Sequence, residues 1–408
     1  MSDMDLSAPK TGFEEFRRAW PVAGAATYGM AVGIGTIATY TSALFIPHLH
    51  AEFGLTGTAF GAAYFLSTIS MAAAMPLVGG AVDRFGPRRC AAIGAVLLAI
   101  CCALLGVFTH SIASYIALYI ILGFFGAGSS AVAFTTPVSG WFVHARGLAL
   151  GITQAGAGLG GIFLPSIITA VIAAYGWRAG YLAIAVLALS STPISLLWLR
   201  DHGVKQAPRT VAAAVFPEVL TQPFFWLQMA AFSLMLCTFT GLLVHLVPML
   251  ISFGMTAKTA AKMAGVSGAS VIVARLIMGS LADRVHVRWL AAGACLICGA
   301  TGLSLASADL RWALLAAIGT GFAMGAEVDL VSYATARYFG HAVYGRAYAW
   351  QFGGMIAAAG LSPLWVGALS DRYGYILALQ VSAGMALITA ILFMFLPAYP
   401  SNPAGLED

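Results

Sequence analysis

Twelve apolar runs, each near the roughly 20 residues that a helix needs to cross a bilayer, set the frame for this chain of 408 residues. They fall at about 20–46, 57–82, 90–109, 112–141, 148–174 and 178–199, and then at 223–253, 260–282, 288–307, 311–336, 344–369 and 375–397. Only 9% of the residues are charged and 60% are hydrophobic, with a mean hydropathy of +0.90. A water-soluble domain carries about a quarter charged residues, so this chain could not cover its surface in water. The expected fold class is an all-α membrane protein with twelve transmembrane helices, in which 46 glycines let helix backbones approach closely.

The polar-leaning stretch 200–222 divides the chain into near-equal halves. The expected organisation is a tail over 1–19, a six-helix unit over 20–199, a central loop over 200–222, a second unit over 223–397 and a tail over 398–408. Lys10, Arg17, Arg18, Arg84, Arg88, Arg89, Arg146, Arg200, Lys205, Arg209, Arg284, Arg288, Arg337 and Arg346 fall on the side of the N-terminus. Arg178, Lys258, Lys262, Arg311 and Arg372 fall opposite. This bias of 14 against 5 predicts cytoplasmic termini and a cytoplasmic central loop.

The first 20 residues lack the apolar core and cleavage site of a secretory leader. The net charge of +5 is spread over short loops, which speaks against nucleic acid as a partner. Cys90, Cys101, Cys102, Cys237, Cys295 and Cys298 lie in or beside apolar stretches and read as inert thiols. The CxxC of Cys295 and Cys298 has no histidine or second pair nearby, so neither a metal nor a cofactor is expected. The compact loops fit a bacterial inner membrane, and a monomer is expected.

The halves repeat each other at an offset of about 200 residues. Gly79-x-x-x-Asp83-Arg84 recurs as Gly279-x-x-x-Asp283-Arg284, and Ile46-Pro47-His48-Leu49 as Val247-Pro248-Met249-Leu250. Gln154 matches Gln351, Pro165 matches Pro363, and Tyr175-Gly176 matches Tyr373-Gly374. The run Gly79 to Arg89, with Asp83, Arg84, Gly86 and Arg88 inside it, resembles the loop signature of the major facilitator superfamily. The resemblance implies two pseudo-symmetric six-helix bundles that rock about a central site. Physically, Gly79, Asp83, Arg84, Gly86, Arg88, Gly279, Asp283 and Arg284 read as a cytoplasmic latch. Asp83, near a helix end, can accept hydrogen bonds from a neighbouring helix N-terminus or pair with an arginine.

A narrower resemblance lies in Trp141-Phe142-x-x-x-Arg146-Gly147-Leu148-Ala149-Leu150-Gly151, in Gly156, Gly158, Gly160, Gly161 and Pro165, in His245-Leu246-Val247-Pro248, and in Arg275-x-x-x-Gly279. These stretches resemble the monocarboxylate porters and the oxalate/formate antiporters. The resemblance implies that an arginine of the eighth helix anchors the substrate carboxylate, and Arg275 falls on that pattern. Val271 replaces the acid that animal porters carry one turn earlier, and the first span has no lysine. The eleventh helix offers Gln351 where the oxalate exchanger has a lysine. A single cationic anchor favours a monocarboxylate over a dicarboxylate.

An ionisable group at bilayer depth costs several kcal/mol and is a functional candidate for that reason. Three such groups fall well inside the expected spans: Arg275, Glu327 and Asp329. Arg275 lies eight residues before Asp283, about 12 Å along the helix. It presents a planar fork suited to a carboxylate. Glu327 and Asp329 are two residues apart, hence about 200° apart around a helix, so only one can face a cavity squarely. Burial disfavours an ionised carboxylate and a neighbouring guanidinium favours it. An acid balanced between them could carry a proton, and the reading leans to Glu327.

His245 could relay protons or sit as a hydrogen-bonded core histidine, and His48, His50 and His110 read as exposed loop residues. Tyr28, Tyr40, Thr41, Tyr64, Gln154 and Gln351 are candidate cavity residues, the glutamines foremost because they repeat. The function expected is proton-coupled movement of a small organic anion. Rival readings are anion exchange, export of drugs or cations, and a sensor that binds a ligand without moving it. No nucleophile–base set at bilayer depth points to an enzyme.

Overall fold

The computed structural model describes residues 11–55, 57–200, 216–340 and 343–400. Lys10, Lys205 and Arg209, with most of the central loop, lie outside the described residues. Every described element is helical, and twelve are long and apolar enough to span a membrane. They are α1 (Gly12–Tyr40), α2 (Ala59–Phe85), α3 (Pro87–Phe108), α4 (Ile112–Trp141), α5 (Arg146–Tyr175) and α6 (Trp177–Trp198), followed by α7 (Pro223–Ser252), α8 (Lys262–Ala282), α9 (Val287–Leu305), α10 (Leu310–Phe339), α11 (Tyr344–Tyr373) and α12 (Tyr375–Met394).

Local chemistry sets the boundaries. Thr11 caps α1 by accepting from the Glu14 amide, and Ser111 and Ser114 form a capping box ahead of α4. Gly176 and Gly374, mates in the sequence repeat, take φ of +85° and +79° at the α5–α6 and α11–α12 turns. A side chain there would be strained. Arg178 bonds Glu52 through Nη2 at 2.7 Å, and Trp177 Nε1 donates to the same carboxylate at 2.7 Å. These bonds hold the short helix Ile46–Phe53 against α6 and keep the Glu52 carboxyl below its usual range.

The packing carries the repeat into three dimensions. In the first bundle α1 packs on α5, α2 on α4 and α3 on α6. In the second, α7 packs on α11, α8 on α10 and α9 on α12. The bundles meet along two equivalent seams, α2–α11 and α5–α8. A Cβ on Gly79 would lie 2.6 Å from that of Ala349 and 2.7 Å from the Gly345 carbonyl. A Cβ on Gly279 would lie 2.5 Å from the Gly147 carbonyl and 3.3 Å from the Gly151 Cα. Each seam is thus a close backbone approach that side chains would forbid.

The seams are tightest on the face that carries the α2–α3 loop, and they stay in contact further along, where a Cβ on Gly360 would lie 3.1 Å from Thr68 and one on Gly158 2.8 Å from Ile272. Gly61 precedes Gly79, and Gly268 precedes Gly279, by about five and three turns, so each shares its partner's stripe. Neither Gly61 nor Gly268 has anything within 4 Å of its Cβ direction. The bundles therefore close most tightly at the Arg-rich face and splay at Gly61 and Gly268 toward the other.

Four boundaries differ from the sequence expectation. Helix α1 begins at Gly12 and so takes in residues 12–19 of the expected tail, where Glu15 is satisfied inside the protein. Residues 216–221 of the expected central loop are helical. His48 and His50 are exposed as expected, but they belong to Ile46–Phe53 and not to a loop. Tyr399, in the expected C-terminal tail, stacks on His286 at 3.9 Å and is held to the bundle.

The repeat also fails at one level. Helix α1 breaks between Ala31 and Ile34, and α4 breaks at Ala127–Ser129, while α7 is one unbroken helix over Pro223–Ser252. The two breaks touch: a Cβ on Gly33 would lie 2.7 Å from the Ser129 carbonyl.

A packing test follows. A Cβ on Gly156 would meet the Thr27 carbonyl at 2.0 Å, whereas Gly24 has nothing within 4 Å. Gly156→Val should lower the melting temperature in detergent by several degrees, for an overpacking penalty of about 1–3 kcal/mol. Gly24→Val should melt as the parent does; equal melting of all three would contradict the α1–α5 packing.

Candidate functional site

Carboxylates lock the closed face at both seams. Asp83 at the end of α2 pairs with Arg346 Nε of α11 at 3.2 Å. Asp283, just past α8, accepts from the Gly147 amide at 2.8 Å and from the Leu148 amide at 3.2 Å. It thereby takes two of the free N–H groups at the start of α5. Burial pushes the Asp283 carboxyl up from its ordinary range, against the pull of those two bonds. Arg88 turns back to the Leu196 carbonyl of its own bundle, and Arg84 lies over the Phe85 ring. Of the signature residues, Gly79, Asp83, Gly279 and Asp283 make contacts across the seams.

Glu15, which sequence reasoning left in the tail, holds the α4–α5 loop within the first bundle. It is 2% exposed and accepts from the amides of Val143, His144 and Ala145, each within 3.1 Å. The only hint in the sequence is an acid in the first turn of an apolar helix. Thr135 of α4 and Ser332 of α10 both bond the Tyr344 hydroxyl of α11, at 3.3 and 2.7 Å, and so tie the bundles together again.

Behind this closed layer lies an under-satisfied polar cluster. Arg275 Nη1 stands 3.8 Å from Asp329 Oδ1, with the side chains 12% and 2% exposed. That separation is beyond hydrogen-bond length, so the two are held by charge alone. Arg275 Nε and Nη1 and both Asp329 oxygens have no hydrogen-bond partner within the protein. Tyr348 of α11 is fully buried, its hydroxyl faces Thr135 of α4, and it lies in electrostatic range of Asp329 and Arg275. Nothing in the sequence distinguishes this tyrosine from the other thirteen. Glu327 is 3% exposed and in range of both Arg275 and Cys295 of α9. The acid paired with the guanidinium is thus Asp329, a choice the sequence reading leaves open between the two acids; its lean to Glu327 concerns the proton.

The other candidates are scattered. Tyr28 bonds Ser190 at 2.6 Å and Thr41 bonds the Ile37 carbonyl at 2.7 Å, both inside the first bundle. Tyr64 pairs with Thr39. Tyr40, 40% exposed, lies against Gly161 of α5. His245 places its ring nitrogens 3.2 Å from the Tyr375 hydroxyl and 3.2 Å from the Pro363 carbonyl, in the manner of a satisfied histidine of the second bundle.

The glutamines are not equivalent. The contact glycines align Gly147 with Gly345 and Gly151 with Ala349, a register in which Gln154 corresponds to Phe352. Gln351 donates to the Phe225 carbonyl of α7 at 2.8 Å. Gln154 is wholly buried, and neither end of its amide has a partner. Among the described residues no group of three or more metal-ligating side chains comes together.

Two bundles joined by glycine seams, with an arginine–acid pair of the second bundle beside one seam, have the build of a membrane carrier. The chain belongs to the Major Facilitator Superfamily, whose family model matches residues 28–352; it is a transporter and not an enzyme. Among curated relatives, it is 28% identical over 162 residues to a probable sulfoacetate transporter of Cupriavidus necator, covering 40% of this chain and 37% of the relative. It is 28% identical over 198 residues to the oxalate:formate antiporter of Oxalobacter formigenes, 47% of each chain. It is 27% identical over 219 residues to human monocarboxylate transporter 11, 52% of this chain and 45% of the relative. The matches thus span about half or less of these relatives' lengths. The E. coli fucose:proton symporter superposes with a TM-score of 0.74 at 16% identity, over 94% of this chain and 99% of that one, which shows the shared fold.

Loss of charge at a lock should loosen the closed face. Asp83→Asn and Asp283→Asn should each raise amide exchange about tenfold in the helix start each one holds, 343–350 and 143–150 respectively, because hydrogen bonds to charged groups are worth about 1.5–3 kcal/mol. Hydrogen-exchange mass spectrometry checks this, and unchanged exchange in both variants would remove the latch assignment.

Proposed function

We propose that this protein moves a small organic monoanion across the membrane together with a proton, by alternating access between its two bundles. The observation that carries the reading is the loose Arg275–Asp329 pair. An arginine committed to a structural role would be expected to hold a short, bidentate bridge. Here the fork keeps unpartnered N–H groups beside an acid that itself has no hydrogen bond. A substrate carboxylate arriving from the splayed side can take those donors. Arg275 then loses its claim on Asp329, and an acid in a low-dielectric site without its counter-ion takes up a proton. Anion and proton would cross together, with the net charge of the site unchanged.

The names of the relatives support an organic anion: monocarboxylate, oxalate and formate, and sulfoacetate all appear among them. Arg275 is the one basic side chain that the sequence sets well inside an apolar span, which fits a single negative charge. Tyr348 and Gln154 border the anchor as neutral donors. Gln351, Tyr28, Thr41, Tyr64 and His245 drop out of the binding set because they are engaged elsewhere, and Tyr40 remains at the rim. The excess of Lys and Arg on the closed face orients that face to the cytoplasm, so this conformer opens outward. We place the protein in a bacterial inner membrane, acting as a monomer. A second reading, export of organic cations, draws on Glu327, whose Oε2 is also unpartnered. Two buried acids facing one guanidinium would suit a cation.

The test is uptake into proteoliposomes. Arg275→Ala should reduce uptake of lactate or a similar monocarboxylate at least a hundredfold, since removing one partner of a buried pair costs about 3–5 kcal/mol. Arg275→Lys should restore only a part, having the charge without the fork. Near-normal uptake by Arg275→Ala would end the anchor role, and binding of lipophilic cations in place of acids would favour the exporter. Separately, Asp329→Asn should still exchange substrate while losing substrate-dependent acidification of the lumen. If acidification persists in that variant and stops in Glu327→Gln, the proton travels on Glu327.

A further inference from the structure

Gln154 lies in the α5–α8 seam. Gly147, Gly151 and Gly158 form one stripe of α5, facing Gly279, the Arg275 carbonyl and Ile272 of α8 in turn. At about 100° per residue Gln154 falls on the same stripe, between Gly151 and Gly158 and level with the Ile272–Arg275 turn. The side chain is 0% exposed, and neither Oε1 nor Nε2 has a hydrogen-bond partner. The neighbouring α8 backbone is itself helical, so its carbonyls already accept within their own helix. Gln351 donates to the Phe225 carbonyl and Gln228 to the Thr335 hydroxyl, so other buried glutamines of the chain keep at least one bond.

A primary amide that is desolvated without compensation opposes whatever movement buries it. The movement that buries Gln154 is closure of the seam on the Arg-rich face, since α5 and α8 belong to different bundles. When the seam parts, the amide regains water. We propose that Gln154 is a built-in counterweight to the closed-face locks. Asp283 on Gly147 and Leu148, and Asp83 on Arg346, pull the face shut, while the unpaired amide at Gln154 pushes it open. The balance keeps the two end states of the transport cycle close enough in free energy for a small substrate to shift between them. This role requires no particular substrate, and so stands or falls apart from the anion reading.

The experiment uses the full chain in nanodiscs without substrate. Gln154→Met and Gln154→Leu keep the side-chain volume and remove the amide. Both should slow amide exchange over 143–158 and 272–286 about tenfold, an equilibrium shift of about 1.4 kcal/mol, and both should raise the melting temperature. Gln351→Met is the contrast: it removes an amide that has a partner, so it should lower the melting temperature and leave seam exchange no slower than in the parent. Exchange at the parental rate or faster in both Gln154 variants overturns the proposal. So does failure of both to fold, because an apolar side chain at this position should favour the closed seam. Slowing by Gln351→Met as well would assign the effect to added hydrophobicity and equally overturn it.

Discussion

A polar group inside hydrocarbon has to find its partner within the protein, because the solvent offers none. That constraint organises the whole molecule. Backbone N–H and C=O groups are consumed within helices, so every described element is helical. Helix starts buried at the bundle interface borrow acceptors from elsewhere in the chain. Asp283 serves α5 from the other bundle, and Glu15 serves the loop leading into α5 from α1. Where the chain breaks inside the bilayer, in α1 and α4, the two breaks lie against each other and away from lipid.

The same constraint separates structural from functional polar groups. Tyr28, Thr41, Gln351 and His245 are satisfied at least in part, and each bonds within its own bundle. Among the buried groups left wanting are the Arg275 fork and the Asp329 carboxylate of the second bundle and the Gln154 amide of the first, on helices that meet at or beside the α5–α8 seam. Under-satisfaction in a low-dielectric setting is costly, and it persists here at the level where two rigid bodies part and meet. Such groups are better partnered at another stage of the cycle, by substrate, proton or water.

Symmetry supplies the mechanical frame and asymmetry the chemistry. Gly79 against Gly345 and Ala349, and Gly279 against Gly147 and Gly151, are copies of one device. Each brings two backbones together so closely that the face either closes along its length or opens as a unit. The breaks in α1 and α4 have no counterpart in α7, and Arg275, Asp329 and Glu327 have none in the first bundle. The two halves share a scaffold and divide the work.

Periodicity and composition by themselves determined the twelve spans, the repeat and the rarity of charge at mid-membrane depth. Hydrocarbon thickness and desolvation act on residue types whatever their neighbours. The glycine–aspartate signature likewise announced the seams, since no other residue allows that approach. Only the tertiary structure decided that Asp329 forms the ion pair with Arg275, that Gln154 and Gln351 fall one residue out of register and occupy different environments, and that Glu15 is buried against the loop ahead of α5. Those outcomes depend on which faces of separate helices are brought together. Side-chain satisfaction is a property of that meeting, and a linear sequence leaves it open.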